Sequence, residues 1–114
     1  MSDLEYYVLT ECLDDWLMVG SLAQAAVVRG YGETTLDVRP IVLETVQRLL
    51  AQGYIVLGSI LQDGFHTWEG TSLDWLQRLS LVIAVDDEDA WYAAAWIKLS
   101  EVGEPVALAL ESEH

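Results

Sequence analysis

Few residues of this sequence have the types and spacing that catalysis or metal binding requires. The chain has one cysteine, Cys12, and two histidines, His66 and His114. His66 with Glu69 three residues later could supply two metal ligands or a base with its carboxylate, although an exposed polar side chain is the simpler interpretation. Metal sites need several converging ligands, and a nucleophile needs an adjacent base. The sequence therefore predicts a protein that is not an enzyme and that holds no metal or cofactor, with Cys12 packed as a small hydrophobic residue.

A run of four acids, Asp86, Asp87, Glu88 and Asp89, stands two residues before Trp91. The run lacks the alternating ligands and the glycine of a calcium loop, so it does not predict a dedicated cation site. Two interpretations stay open. The run is either a solvated loop or part of a surface that meets a basic partner.

The charge of the chain restricts its partners. Nineteen acids stand against five basic residues, which gives a formal net charge of −14. Such a field repels nucleic-acid backbones and anionic membranes and attracts basic partners. One cysteine cannot form an internal disulfide, and the N-terminal residues lack the basic start and apolar run of a signal peptide. We therefore expect a soluble, unprocessed, cytoplasmic protein.

The length of 114 residues predicts one domain with one core. In the first half, spacing predicts a helix from Leu4 to Leu13 capped by Ser2, and a short strand over Trp16–Val19. A second helix, Leu22–Arg29 capped by Ser21, and a third from Val38, with Pro40 in its first turn, follow. Gly30 and Gly53 are expected to end these two helices.

The second half predicts strands at Tyr54–Leu57 and Phe65–Trp68, joined through a turn at Asp63–Gly64 with a somewhat long connection. Thr71 or Ser72 caps a fourth helix through Leu79, and the pattern leaves open whether 79–85 is helix or strand. A strand at Trp91–Leu99 and a terminal helix near Pro105 complete the chain.

This order of elements resembles the winged-helix form of the helix-turn-helix domain. The resemblance is carried by Trp16–Val19, by the helices at 21–29 and 38–52, by Gly53–Leu57 as first wing strand, and by Trp96–Gly103 as the returning strand with its Leu-Ser-x-x-Gly exit. It spans nearly the whole chain and implies an α+β fold with four to five helices and a small antiparallel sheet. The sequence departs from the family at 62–89, where an insertion enlarges the wing.

Winged-helix proteins often bind DNA through the outward face of the third helix, so one alternative is a transcriptional regulator. That face would present Arg39, Leu43 and Gln47. Between Leu49 and Gln77 the chain has no lysine or arginine to contact a DNA backbone. The electrostatics therefore disfavour this alternative.

Recognition of another protein is the function that the sequence favours. The chain has five tryptophans and five tyrosines, which is a high content of large aromatic residues for its length. Trp16, Trp75 and Trp96 are assigned to the core, whereas Trp68 and Trp91 border acidic or turn residues and are the candidate interface anchors.

Small acidic proteins without catalytic residues are similar to the immunity proteins of bacterial polymorphic and contact-dependent toxin systems. This resemblance implies direct binding of a basic toxin domain, with a nuclease as the first expectation. A DNA-mimicking inhibitor of nucleic-acid enzymes is a further alternative, and a homodimer is compatible with the sequence. The partner-binding residues predicted on this basis form two patches: Asp86, Asp87, Glu88, Asp89 and Trp91, and Asp63, Phe65, His66, Trp68 and Glu69.

Overall fold

The computed structural model describes residues 1–84, 87 and 91–113, and in this part of the chain five helices accompany a four-stranded antiparallel sheet. This architecture confirms the expected α+β class. The elements are α1 (Asp3–Glu11), β1 (Leu17–Met18), α2 (Val19–Val28), α3 (Arg39–Ala51), β2 (Ile55–Leu61), β3 (Gly64–Thr67), α4 (Ser72–Ile83), β4 (Trp96–Leu99) and α5 (Gly103–Ser112).

The strands lie in the order β1-β4-β2-β3, and each neighbouring pair is antiparallel. Leu17 faces Ile97 across β1 and β4, and Ile97 faces Leu57 across β4 and β2. All three side chains are buried in the same core cluster as the apolar faces of the helices. Because side chains alternate along a strand, the residues on either side of this row point to the opposite face of the sheet.

The first helix is capped as predicted, but the second is not. The Ser2 hydroxyl accepts the Glu5 N–H at 3.1 Å. Helix α2 begins at Val19, ahead of the predicted Ser21 cap. The N–H groups of Val19 and Gly20 donate to the carbonyls of Ala95 and Tyr92, at 3.0 and 2.9 Å. These carbonyls satisfy two of the free donors of the helix N-terminus in place of a side-chain cap.

Glycines end α2 and α3, as predicted. Gly30 and Gly53 have φ angles of +86° and +75°, in the left-handed region that a side chain disfavours. After α2, the N–H of Tyr31 returns to the Ala26 carbonyl at 3.0 Å, and the same pattern follows α3. Both ends are Schellman motifs, which local sequence is sufficient to specify.

The hairpin and the last strand differ from the prediction. Strand β2 runs on to Leu61, which faces Gly64, so the connection has only two residues and the expected long connection is wrong. Helix α4 continues to Ile83, which resolves the open boundary in favour of helix over the described part of that segment. Strand β4 begins at Trp96, because residues just before it supply the carbonyls that cap α2.

The exit from β4 fixes the start of α5 against Tyr54, the residue directly before β2. The Ser100 hydroxyl accepts the Gly103 N–H at 3.0 Å, and the Ser100 N–H donates to the Tyr54 carbonyl at 3.0 Å. A Cβ at Gly103 would lie 1.9 Å from that carbonyl oxygen. The Ser-x-x-Gly sequence therefore has a direct structural reason, because only glycine fits this contact.

None of the helices in the described ranges combines the length and apolar character that crossing a membrane requires.

Candidate functional site

The face of the sheet that turns away from the core carries aromatic side chains. Trp96 and Lys98 alternate with the buried Ile97 on β4, and Val56 alternates with the buried Leu57 on β2. Trp16, Thr67 and Lys98 are exposed to solvent. We call this surface the aromatic face, and its residues are Trp16, Val56, Phe65, Thr67, Trp96 and Lys98.

Trp16 and Phe65 form the centre of the aromatic face. Their ring centroids are 5.7 Å apart at an interplanar angle of 48°, and the Lys98 Nζ lies 5.6 Å from the Phe65 centroid. Gly58 on β2 makes room for this arrangement. A Cβ at Gly58 would lie 2.6 Å from Phe65 Cε1, so a side chain there would lift the ring away from the sheet.

Carboxylates border the aromatic face beside Trp16 and Lys98. A cleft of about 390 Å³ beside Trp16 is lined by Asp14, Asp15 and Glu104, together with Lys98. A second cleft of about 430 Å³ adjoins it at Lys98 and adds Glu101. Acids around exposed rings attract cationic side chains, and an arginine or lysine over an aromatic ring gains about 0.5–2 kcal/mol. The face can therefore bind a basic surface.

The predicted hairpin patch is only partly assembled. The His66 Nε2 lies 2.6 Å from Asp63 Oδ1, and this hydrogen bond lowers the pKa of the Asp63 carboxyl. His66 thus pairs with Asp63, whereas the sequence suggests Glu69 as its partner. Glu69 is exposed. Of the residues in this patch, Phe65 lies on the aromatic face, where it contacts Trp16.

The expectation that Trp68 and Trp91 are exposed anchors is wrong. Trp68 is 5% exposed and Trp91 0%. The Trp68 Nε1 donates to Ser59 Oγ at 2.8 Å, and the Arg78 guanidinium lies 4.0 Å above the Trp68 ring. Trp68 thus contacts both the sheet, at Ser59 of β2, and helix α4, at Arg78.

The assignment of Trp16 to the core is also wrong, since this residue is 38% exposed, while Trp75 and Trp96 are half-buried. Sequence reasoning missed Trp16, Trp96 and Lys98 as surface residues. The sequence did contain a signal that Trp16 is exposed, because acids precede it directly in Asp14-Asp15-Trp16, as they precede Trp91.

The acidic run itself falls mostly outside the described residues. Asp86, Glu88 and Asp89 lie outside them, and Asp87 is exposed. Its role in partner binding therefore stays a prediction.

The face of α3 assigned to DNA contacts is turned to α4 instead. The Arg39 Nη1 donates to the Ile83 and Ala84 carbonyls at 3.2 and 3.3 Å and so holds the C-terminal end of α4. Leu43 is half-buried and, with Gln47, lines a depression against α4. The expectation that Arg39 and Leu43 lie on a free outward face is wrong, because α4 packs there; Gln47 is exposed.

Cys12 is the one thiol of the chain, and burial raises its pKa to about 12. Its Sγ lies 3.7 Å from the Ile97 carbonyl at the edge of the core. A protonated, half-buried thiol is a poor nucleophile and a poor metal ligand. Within the described ranges, no three His, Cys, Asp or Glu side chains are grouped to hold a metal ion.

Comparison with protein-family models, with curated proteins and with solved structures finds no match to this chain.

Proposed function

We propose that this protein is a non-catalytic binding module for a basic protein partner and that the aromatic face is its contact surface. The observation that carries the proposal is the Trp16–Phe65 pair, in which the exposed Trp16 contacts the half-buried Phe65. The carboxylates of Asp14, Asp15 and Glu104 line a cleft beside Trp16. Large rings at the centre of a contact supply most of the binding free energy. Surrounding charge sets the association rate and selects partners of opposite sign.

A basic toxin domain is the partner class that we propose, with a nuclease as the first candidate and the cytoplasm as the place of action. A nuclease must present a positive cleft to nucleic acid, and the net charge of −14 complements such a cleft. The protein would then act as an immunity or antitoxin protein by covering that cleft. Pairing of β4 with both β1 and β2 supports a winged-helix framework for it.

Affinity capture from the native host with the full chain as bait tests the proposal. We expect one basic protein to be enriched by the wild type and lost with the double variant Trp16→Ala/Phe65→Ala. The matched control is Val28→Ala/Leu108→Ala, which removes two exposed apolar side chains away from the aromatic face. Equal capture by all three baits would exclude the aromatic face as the contact surface.

Charge-reversal variants, assayed with the purified partner, test whether the carboxylates set the association rate. Asp14→Lys/Asp15→Lys should slow association and reduce its salt dependence, whereas Glu111→Lys/Glu113→Lys makes the same charge change on the exposed end of α5. Reversal of Asp86, Asp87, Glu88 and Asp89 to lysine tests the second predicted contact in the same assay.

Two other outcomes would point to the alternatives. A gel shift of duplex DNA at low salt that the exposed Gln47→Ala abolishes would favour a DNA-binding regulator. Capture of several unrelated nucleic-acid enzymes through the acidic residues would favour a DNA mimic.

A further inference from the structure

Lys98 differs from the other basic side chains of this protein because the fold does not pair it with an acid. It is exposed, and within the described ranges it forms no ion pair. The Lys98 ammonium is therefore available to a partner. The four arginines, by contrast, are held by carboxylates, backbone carbonyls or rings: Arg29 by Asp3 and Tyr7, Arg39 by the carbonyls of Ile83 and Ala84, Arg48 by Glu5 and Glu44, and Arg78 by Trp68.

Lys98 lies on the boundary between the two acid-lined clefts of the aromatic face. Both clefts, of about 390 Å³ and about 430 Å³, are lined by Lys98 and Glu104. Asp14 and Asp15 line the first cleft alone, and Glu101 lines the second alone. One positive charge thus lies between two groups of negative charge.

The sheet fixes where this ammonium can lie. Lys98 faces Val56 across β4 and β2, and β4 has a neighbouring strand on both sides. Its Nζ lies 5.6 Å from the Phe65 ring centroid. Rotation of the side chain moves the ammonium, but the backbone position keeps it on the aromatic face. A partner that covers this face therefore covers Lys98 as well.

Covering the ammonium changes which partners can bind. A charge that loses its water without gaining an acceptor is strongly disfavoured, and two like charges in contact repel each other. A surface that carries only cations would place one of them against Lys98. A surface with a carboxylate at that point would pair with Lys98, while its flanking cations meet the acids of the two clefts.

We propose that Lys98 is the specificity-determining residue of the aromatic face and that it selects a partner with a carboxylate between two cationic side chains. The proposal rests on the function proposed above and narrows its partner class, from any basic surface to one with this charge pattern. A net charge of −14 attracts polycations in general, so discrimination among them requires a repulsive element. Lys98 supplies that element within the contact surface.

A lysine homopeptide of about ten residues tests the rejection of unpatterned cations, since all of its side chains are positive. Lys98→Met removes the ammonium, and Gln24→Glu, on the exposed part of α2, makes the same change of net charge outside the aromatic face. At about 50 mM NaCl, the homopeptide should bind the face of Lys98→Met at least about threefold more tightly than that of Gln24→Glu. The indole N–H resonance of Trp16 reports this binding in NMR, with the buried Trp91 as internal reference. Equal binding to the two variants would overturn the proposal.

Affinity for the captured basic partner tests the carboxylate. Lys98→Met leaves that group unpaired in the contact, so dissociation should become about tenfold faster and affinity should fall by about the same factor. Lys98→Arg keeps the charge and should keep most of the affinity, whereas Gln24→Glu should leave dissociation unchanged. An unchanged or tighter complex with Lys98→Met would contradict the proposed pairing.

Failure of the proposed function has a different outcome. It would appear as equal capture of the partner by the wild type and by Trp16→Ala/Phe65→Ala, whatever the residue at position 98. Loss of capture by that double variant, together with unchanged homopeptide and partner binding by Lys98→Met, would keep the aromatic face as the contact surface and refute the role of Lys98. Lys98 and Gln24 are exposed, and circular dichroism verifies that their variants fold.

Discussion

The ring centroids of Trp16 and Phe65 are 5.7 Å apart, although the two residues come from opposite edges of the sheet. Trp16 directly precedes β1 and Phe65 belongs to β3, and β4 and β2 lie between these strands. Three strand spacings amount to about 14 Å, so both rings must extend across the sheet to meet. Contact between them turns separate side chains into one continuous surface above Gly58.

Loss of this pair should affect binding more than stability. Trp16→Ala removes a side chain that is 38% exposed, so we expect the free energy of unfolding to fall by only about 1 kcal/mol. Partner affinity should fall at least about 30-fold if Trp16 is a central anchor. Urea unfolding and titration calorimetry measure the two quantities, and a large stability loss with unchanged affinity would assign Trp16 a structural role.

Trp68→Ala should show the opposite balance. The ring is 5% exposed, bonded to Ser59 and covered by Arg78, so its removal leaves a cavity and an unpaired hydroxyl. We expect a loss of about 3–5 kcal/mol in urea unfolding. Trp68→Phe serves as control, because it retains most of the buried ring while losing the hydrogen bond, and it should cost less than the alanine variant.

Gly103→Ala should be among the most destabilising single-methyl additions in the chain. Its Cβ would lie 1.9 Å from the Tyr54 carbonyl oxygen, and backbone atoms on both sides would have to move. We expect a loss of about 2 kcal/mol or more in thermal or urea unfolding. Glu104→Ala, at the exposed neighbouring position, should change stability by less than about 0.5 kcal/mol. Similar losses in both variants would show that the turn adapts easily.

The Cys12 thiol should make the stability of the fold decrease at alkaline pH. Burial raises its pKa from 9.0 to about 12, so the folded chain holds this proton more tightly than the unfolded chain. The stability it contributes is complete below pH 9 and is lost as pH rises towards 12. Urea midpoints should therefore fall more between pH 8 and pH 11 for the wild type than for Cys12→Ala. Parallel curves would show that the thiol is not the cause.

Features set by neighbouring residues could be predicted from the sequence, and features set by distant ones could not. Gly30 and Gly53 end their helices through contacts within six residues, so their role is readable locally. The start of α2 depends on carbonyls of Tyr92 and Ala95, which lie more than seventy positions away.

The tryptophans illustrate the same division. Trp16 and Trp68 both lie near acids and strands. The sequence alone predicts that Trp16 is buried and Trp68 exposed, which is the reverse of the observed burial. Trp68 is bonded to Ser59 of β2 and covered by Arg78 of α4, whereas Trp16 contacts Phe65 of β3, and none of these partners is adjacent in sequence. The acidic character of the surface, by contrast, follows from composition and was predictable.

The turn between β4 and α5 positions part of the proposed partner-binding surface. Ser100 and Gly103 fix the first turn of α5 against Tyr54, and the residue that follows, Glu104, lines both acidic clefts. Ser100 and Gly103 make the turn, whereas Glu101 and Glu104 are exposed, so substitution of either acid changes the charge of a cleft while the turn keeps its shape. Under the function that we propose, exchange of these acids is therefore a direct route to a different partner that leaves the interior unchanged.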